Sequence, residues 1–207
     1  MRTTLYLIRH AATAANLAKP ARLQGRRTDP PLAAAGVRQA EATRDLLAAR
    51  PVHACYCSPL VRAVQTAAII AAPHGLTPTP LAELTECDVG EWEGLDWDTI
   101  RDREPEAYRR YMADPATVPY PGGESFADVH SRAAPALDRL LTDHAGQTLL
   151  VVSHHVVNRT YLAAQLGLPI RQARRISLDN CGVSVVTSEG GETVVSALKS
   201  AFHLPAE

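Results

Sequence analysis

The chain is expected to fold as an α/β three-layer sandwich, with a mostly parallel central sheet flanked by helices and a small irregular, partly helical insertion over one edge. Three observations carry this expectation. Short apolar runs alternate with stretches of helical periodicity, the pattern of strands joined by crossover helices. The strand-like runs are apolar on successive residues, as strands buried on both faces must be. One stretch, residues 87 to 123, breaks the alternation. The length of 207 residues suits one well-packed domain, 1–207, with the insertion at roughly 87–125.

The elements follow in order. "TTLYLI" reads as a buried strand, and "PLAAAGVRQAEATRDLLAAR" as a helix with Val37, Ala40 and Leu47 on one face. "HACYC" is the next strand, with Cys55 and Cys57 on the same face. "SPLVRAVQTAAIIAAPHG" opens with an N-cap serine, Ser58, and a first-turn proline, Pro59, and closes near Gly75. "TPTPLAEL" is a short edge strand, where prolines are tolerated. After the irregular stretch a long helix runs from about Glu124, its apolar stripe made by Phe126, Val129, Ala133, Leu137 and Leu140, with a kink expected at Pro135. "QTLLVVSH" is a buried strand and "HVVNRTYLAAQLG" a helix. "GVSVVTSEGGETVVSALK" is a closing hairpin with a Gly-Gly turn.

Composition narrows the function. A net charge of −1 gives no basic field for nucleic acid or anionic membranes, and no run approaches the length of a membrane span. The first apolar stretch is too short for a signal peptide. Cys55, Cys57, Cys87 and Cys181 lack CxxC spacing and disulfide-framework density, so they read as reduced thiols in a cytoplasmic protein. The other histidines (His53, His74, His130, His144, His203) share no ligand spacing, and no metal site is expected.

In open α/β sheets the ligand lies beyond the carboxyl ends of the strands. Two strands stop there on histidine: the first at Arg9-His10, the later one at Ser153-His154-His155. Arg62 falls in the first turn or so of the helix opening at Ser58, where free N–H groups favour an anion. Two arginines and two histidines around a helix start suit a phosphate dianion, since guanidinium grips phosphoryl oxygens bidentately. Glu86 follows the short strand. A carboxyl group beside phosphate makes sense if it keeps or shares a proton and donates it to a leaving oxygen.

These segments resemble a known family. "LIRHAATAAN" is similar to the Arg-His-Gly-x-Thr-x-x-Asn signature of the histidine phosphatase superfamily, the phosphoglycerate-mutase-like group. "LQGRRTDPPLAAAGVRQA", "SPLVRAVQTA", "LTECDVGEWEG" and "VVSHHVVNR" resemble its later segments, in family order, over residues 4 to 160. The resemblance implies a small-molecule phosphomonoester substrate and a phosphohistidine mechanism without metal or cofactor. His10 would attack phosphorus, and Arg9, Arg62 and His154 would clamp the oxygens. Thr13 and Asn16 would support the loop, and Glu86 would act as acid, then base. "PYPGGESFADV" resembles the helix start of small-molecule phosphatase branches, including those acting on α-ribazole phosphate; Ser125 or Glu124 would cap the helix or line the pocket.

The chain departs from the pattern in places. Ala11 stands for a glycine and loses its access to positive φ. Ala33 stands where Thr or Ser usually caps a helix. His155 replaces a glycine, either touching the substrate or facing the next helix start or solvent. Arg22, Arg26 and Arg27 are either solvated or hold a second anionic group, while Asp88, Glu91 and Glu93 argue against polyphosphates. Trp92 is expected to pack the insertion onto the core. Glu86 precedes Cys87-Asp88 and His154 precedes His155-Val156, where the mutases of this group have Arg-x-Tyr and Gly-Asn. That favours hydrolysis over mutase-type transfer. A non-catalytic phosphate-binding module is the further alternative, and no oligomeric state follows.

Overall fold

Leu5 and Leu7 on one side of the first strand, and Ile8 on the other, belong to two separate apolar clusters, each closed by its own layer of helices. The computed structural model describes residues 1–204. In chain order it contains β1 (Thr3–Arg9), α1 (Ala14–Leu17), α2 (Ala34–Leu47), β2 (Ala54–Cys57), α3 (Val61–Ala71), β3 (Thr79–Pro80), α4 (Trp97–Arg103) and α5 (Pro105–Ala113). There follow α6 (Phe126–Asp143), β4 (Thr148–Ser153), α7 (His155–Gln165), β5 (Val183–Glu189) and β6 (Glu192–Ser200).

The strands form one sheet in the order β3-β2-β4-β1-β5-β6. Strands β3, β2, β4 and β1 run parallel; β5 is antiparallel to β1, and β6 closes the hairpin antiparallel to β5. The register aligns Arg9 of β1 with Ser153 of β4, so the two strands end level and deliver His10 and His154 to the same edge. Alternation does the rest. Leu149 and Val151 join Leu5 and Leu7 under α6 and α7, while Leu150 and Val152 join Ile8, Cys55 and Cys57 under α3.

The expected stripe of α6 is buried, and the helix continues through Pro135. Ser125, not Glu124, caps it: Ser125 Oγ accepts from the Asp128 N–H, and an Asp128 carboxylate oxygen accepts from the Ser125 N–H. The insertion is an aromatic knot. Trp92 is fully buried and meets Trp97, Tyr111 and Tyr120 edge-on, with centroids 5.5 to 6.1 Å away.

Two local expectations are corrected. Helix α3 begins at Val61 rather than at Ser58, and its first N–H is accepted by Asp29 Oδ2 at 2.9 Å. Ser58 is free for another partner. On α2, Val37 is exposed, and the buried stripe is Gly36, Gln39, Ala40, Thr43 and Leu47. This helix packs partly on the loop after β1, whose backbone needs a polar partner, so Gln39 and not valine faces inward. Ala33 precedes α2 with no side-chain cap.

Gly36 sets how closely α2 can approach that loop. A Cβ there would lie 2.0 Å from the Ala12 carbonyl oxygen. Gly36→Ala is therefore expected to destabilise the fold by about 1–3 kcal/mol, read as a lower urea midpoint. An unchanged midpoint would show that the contact relaxes freely.

Candidate active site

His10 follows β1 and is buried. Its Nδ1 lies 2.8 Å from the Ala11 carbonyl oxygen. A carbonyl can only accept, so Nδ1 carries the proton and the lone pair sits on Nε2. Burial, then the nearby Arg9 and Arg62, holds the ring well below the usual histidine range, so it stays neutral. The loop beyond is fixed from several sides. The Ala11 N–H donates to Thr66 Oγ1 at 3.0 Å, the Ala12 N–H to Gln39 Oε1 at 3.0 Å, and the Thr13 N–H to Asn16 Oδ1 at 3.0 Å. Thr13 Oγ1 reaches Gln24 Oε1 at 2.8 Å, and Asn180 donates to the His10 carbonyl at 2.8 Å. Ala11 does not need positive φ; it packs with Ala40 and Cys181, so alanine costs no backbone strain here.

His154 faces His10, ring centroids 5.1 Å apart. Its Nε2 is 2.7 Å from Ser58 Oγ, which gives Ser58 its role in place of the expected helix cap. Arg9 donates to the Leu178 carbonyl at 2.7 Å, and burial lowers its pKa only to about 10, leaving it charged. Arg62 is wholly buried, donating to the Gly25 carbonyl at 2.7 Å and pairing with Asp29 at 3.5 Å. Arg62 thus also anchors the loop that crosses the site.

Two expectations change here. The helix start that serves the site is that of α7, not α3, and Glu86 already occupies it. Glu86 Oε2 accepts from the N–H groups of His155 at 3.0 Å and Val156 at 3.3 Å, and Oε1 from Cys87 N–H at 2.8 Å. Every one of these partners is a donor, so Glu86 is no solvated loop acid. Nor do the acids around Glu86 form a bare negative patch. Asp88 pairs with Arg26 at 3.3 Å and Arg27 at 2.8 Å, and Glu93 accepts from Gly25 N–H and Thr28 Oγ1. These bonds zip residues 23–28 to the insertion and engage Arg26 and Arg27, leaving Arg22 as the member of that cluster that lines the cavity.

The cavity measures about 290 Å³. Arg9, His10, Asn16, Glu86 and His155 line it, together with Gln24, Trp97, Tyr120 and Arg159. His155 therefore lies on the cavity wall. Buried polar atoms without a partner among the described residues gather around the site: Arg9 Nε, Gln24 Nε2, Arg62 Nε, His154 Nδ1, His155 Nε2 and Arg159 Nε. So many unsatisfied groups in one place mark a binding site for a polar ligand. Gln24, Ser58, Arg159 and Asn180 escaped the sequence reading. Arg159 alone had a signal, its i,i+4 spacing from His155. Among the described residues no group of three or more His, Cys, Asp or Glu is placed to hold a metal ion. The thiols of Cys55 and Cys57 are pushed up by burial to about 12 and 11, which makes them poor nucleophiles.

His10, His154 and His155 all lie well below 6.5, burial being the largest cause in each case. The unfolded chain protonates them near 6.5, whereas the folded chain does not, so stability falls as pH drops below 6.5. Each contributes at most about 1.4 kcal/mol per pH unit. In phosphate-free buffer, His155→Gln should flatten the decline of unfolding free energy between pH 6.5 and 5 by about one proton's worth. An unaltered slope would contradict this.

The comparisons agree with the geometry. The family model of the histidine phosphatase superfamily (branch 1) matches residues 5–201. The chain is 33% identical over 200 residues to phosphoserine phosphatase 1 of Hydrogenobacter thermophilus, covering 97% of this chain and 93% of that protein. It is 34% identical over 182 residues to a probable phosphoglycerate mutase of Yersinia pestis, covering 88% and 83%. The solved structure of Bacillus stearothermophilus YhfR superimposes with a TM-score of 0.90 at 31% identity, covering 98% and 100%. A neutral histidine with its lone pair on Nε2, set among arginines at the end of a parallel strand, thus has its explanation in descent: the chain belongs to the histidine phosphatase superfamily, branch 1.

Proposed function

We propose that this phosphoester hydrolase cleaves small phosphomonoesters through a phosphohistidine on His10. The observation that carries the reading is the fixed tautomer of His10 beside buried nitrogens of Arg9, Arg62 and His154 that have no partner among the described residues. The cavity, at about 290 Å³, lies at the lower edge of the ~300–1,000 Å³ usual for ligand sites, which suits a metabolite rather than a polymer.

In the first step the Nε2 lone pair attacks phosphorus and the bond to the ester oxygen breaks. The arginines and His154 hold the oxygens on which charge collects. Glu86, seated at the start of α7 on the cavity wall, gives a proton to the leaving alkoxide in its protonated form. In the second step the Glu86 carboxylate takes a proton from water. The oxygen of that water attacks phosphorus, the P–N bond breaks, and inorganic phosphate and neutral His10 result. Thr13 and Asn16 act through the loop they hold, and His155 contributes through the cavity wall. The arginines supply the positive charge, so no step is routed through a metal or cofactor. The four unpaired cysteines favour a reducing, cytoplasmic setting. Among the described residues no helix is long and apolar enough to cross a membrane.

Phosphate release from p-nitrophenyl phosphate and alkyl phosphomonoesters, with EDTA present, tests the reading. Wild type should turn over, and His10→Ala should lose the activity with the nucleophile. Glu86→Gln should cost about 10²–10⁴-fold with alkyl esters, whose alkoxide needs a proton, and far less with p-nitrophenyl phosphate. Equal losses on both would remove Glu86 as the acid. Similarity to a probable phosphoglycerate mutase supports a second reading, phosphoryl return to another hydroxyl. Isomerisation of 3-phosphoglycerate faster than its hydrolysis would establish that one instead.

A further inference from the structure

Most arginines around the cavity are tied down by the protein. Arg9 and Arg62 donate to carbonyls, Arg26 and Arg27 pair with Asp88, and Arg132 is held by Glu124 and the carbonyls of Glu83 and Thr85. Arg159 is different. Its guanidinium carbon stacks 4.4 Å from the centre of the Phe126 ring, and its Nε is buried without a partner. Among the described residues no carboxylate pairs with it, yet it lines the cavity with Glu86, Tyr120 and His155. The ring fixes the plane of the cation and shields one face, but it does not satisfy the N–H groups.

The position of Arg159 on α7 says what would satisfy them. It follows His155 by one helical turn, about 6 Å along the axis, and so lies away from the phosphoryl end, beside the space left for the alcohol half of the ester. The pairing of charges points the same way. A bound phosphoryl dianion, with Glu86 on the same wall and Asp29 behind, faces Arg9 and Arg62, while Arg159 has no carboxylate at ion-pair distance among the described residues. A half-buried cation without a counter-charge is costly unless a ligand supplies one.

The geometry points to Arg159 as a specificity-determining residue that binds a carboxylate on the alcohol half of the substrate. The esters this enzyme handles best then carry a second negative charge a short carbon bridge from phosphorus. The inference rests on the hydrolase reading and deepens it.

O-Phosphoserine and phosphoethanolamine differ only by a carboxylate, which makes them the test pair, with p-nitrophenyl phosphate as a reference ester. Wild type should prefer phosphoserine in kcat/KM by about tenfold or more, as expected for a buried charge left without its partner by the poorer substrate. Arg159→Met keeps the packing on Phe126 and should bring that ratio near one, chiefly by raising KM for phosphoserine, with Arg159→Lys restoring part of it. A wild-type ratio at or below one overturns the inference while leaving the hydrolase reading intact, and it needs no variant to fold. Equal loss on all three esters in Arg159→Met, with an unchanged unfolding midpoint, also overturns it, by making Arg159 a phosphoryl or packing residue. No hydrolysis of any ester overturns both readings together.

Discussion

Everything in this site depends on one hydrogen bond, from the Nδ1–H of His10 to the carbonyl of its own neighbour, Ala11, at 2.8 Å. It decides which nitrogen keeps the lone pair and which way the ring faces. A bond to the adjacent residue is only as reliable as the backbone that makes it, and that backbone has no regular secondary structure. The fold therefore holds it with side chains from several elements. Gln39 from α2 and Thr66 from α3 accept its N–H groups, Asn16 and Gln24 secure Thr13, and Asn180 reaches in from the segment before β5. Each is a polar side chain placed where an apolar one would leave an N–H, a hydroxyl or a carbonyl of the loop unpaired.

Charge is handled by the same rule of full engagement. The two helix starts nearest the site are both closed by carboxylates, Asp29 on α3 and Glu86 on α7. The first ties the crossing loop to α3. The second puts a carboxyl group at the cavity wall without an ion-pair partner among the described residues, the helix start supplying the positive pole. The salt bridges of Asp88 with Arg26 and Arg27 hold the insertion against that loop, so the roof made by Trp97 and Tyr120 is fixed relative to His10. Small cavity, fixed roof and neutral nucleophile are then consequences of one tightly cross-linked edge of the sheet.

The strands, the helices of the sandwich and the Gly-Gly hairpin were legible in the sequence because each rests on local chemistry: apolar runs, helical spacing, and turn residues such as Gly190 and Gly191, both at positive φ. The same holds for the residues at strand ends, Arg9, His10 and His154, since the position of a strand's carboxyl end follows from its pattern. The misreadings share another cause. Ser58 looks like a cap because the serine-proline pair is a local signal, yet its hydroxyl is claimed by His154, a partner 96 positions away. Val37 looks like core because hydrophobicity is local, yet the surface facing α2 is a loop that needs Gln39.

The sequence by itself determined the α/β architecture and placed histidines and arginines at one sheet edge, because periodicity and strand termination are properties of short segments. It also carried the family resemblance. Only the tertiary structure decided which donors and acceptors each side chain meets. That set the tautomer of His10, seated Glu86 on the start of α7, paired Asp88 with Arg26 and Arg27, and left Arg159 against Phe126 without a counter-charge among the described residues. Hydrogen bonds and ion pairs join residues far apart in the chain, and their partners exist only once the segments have packed.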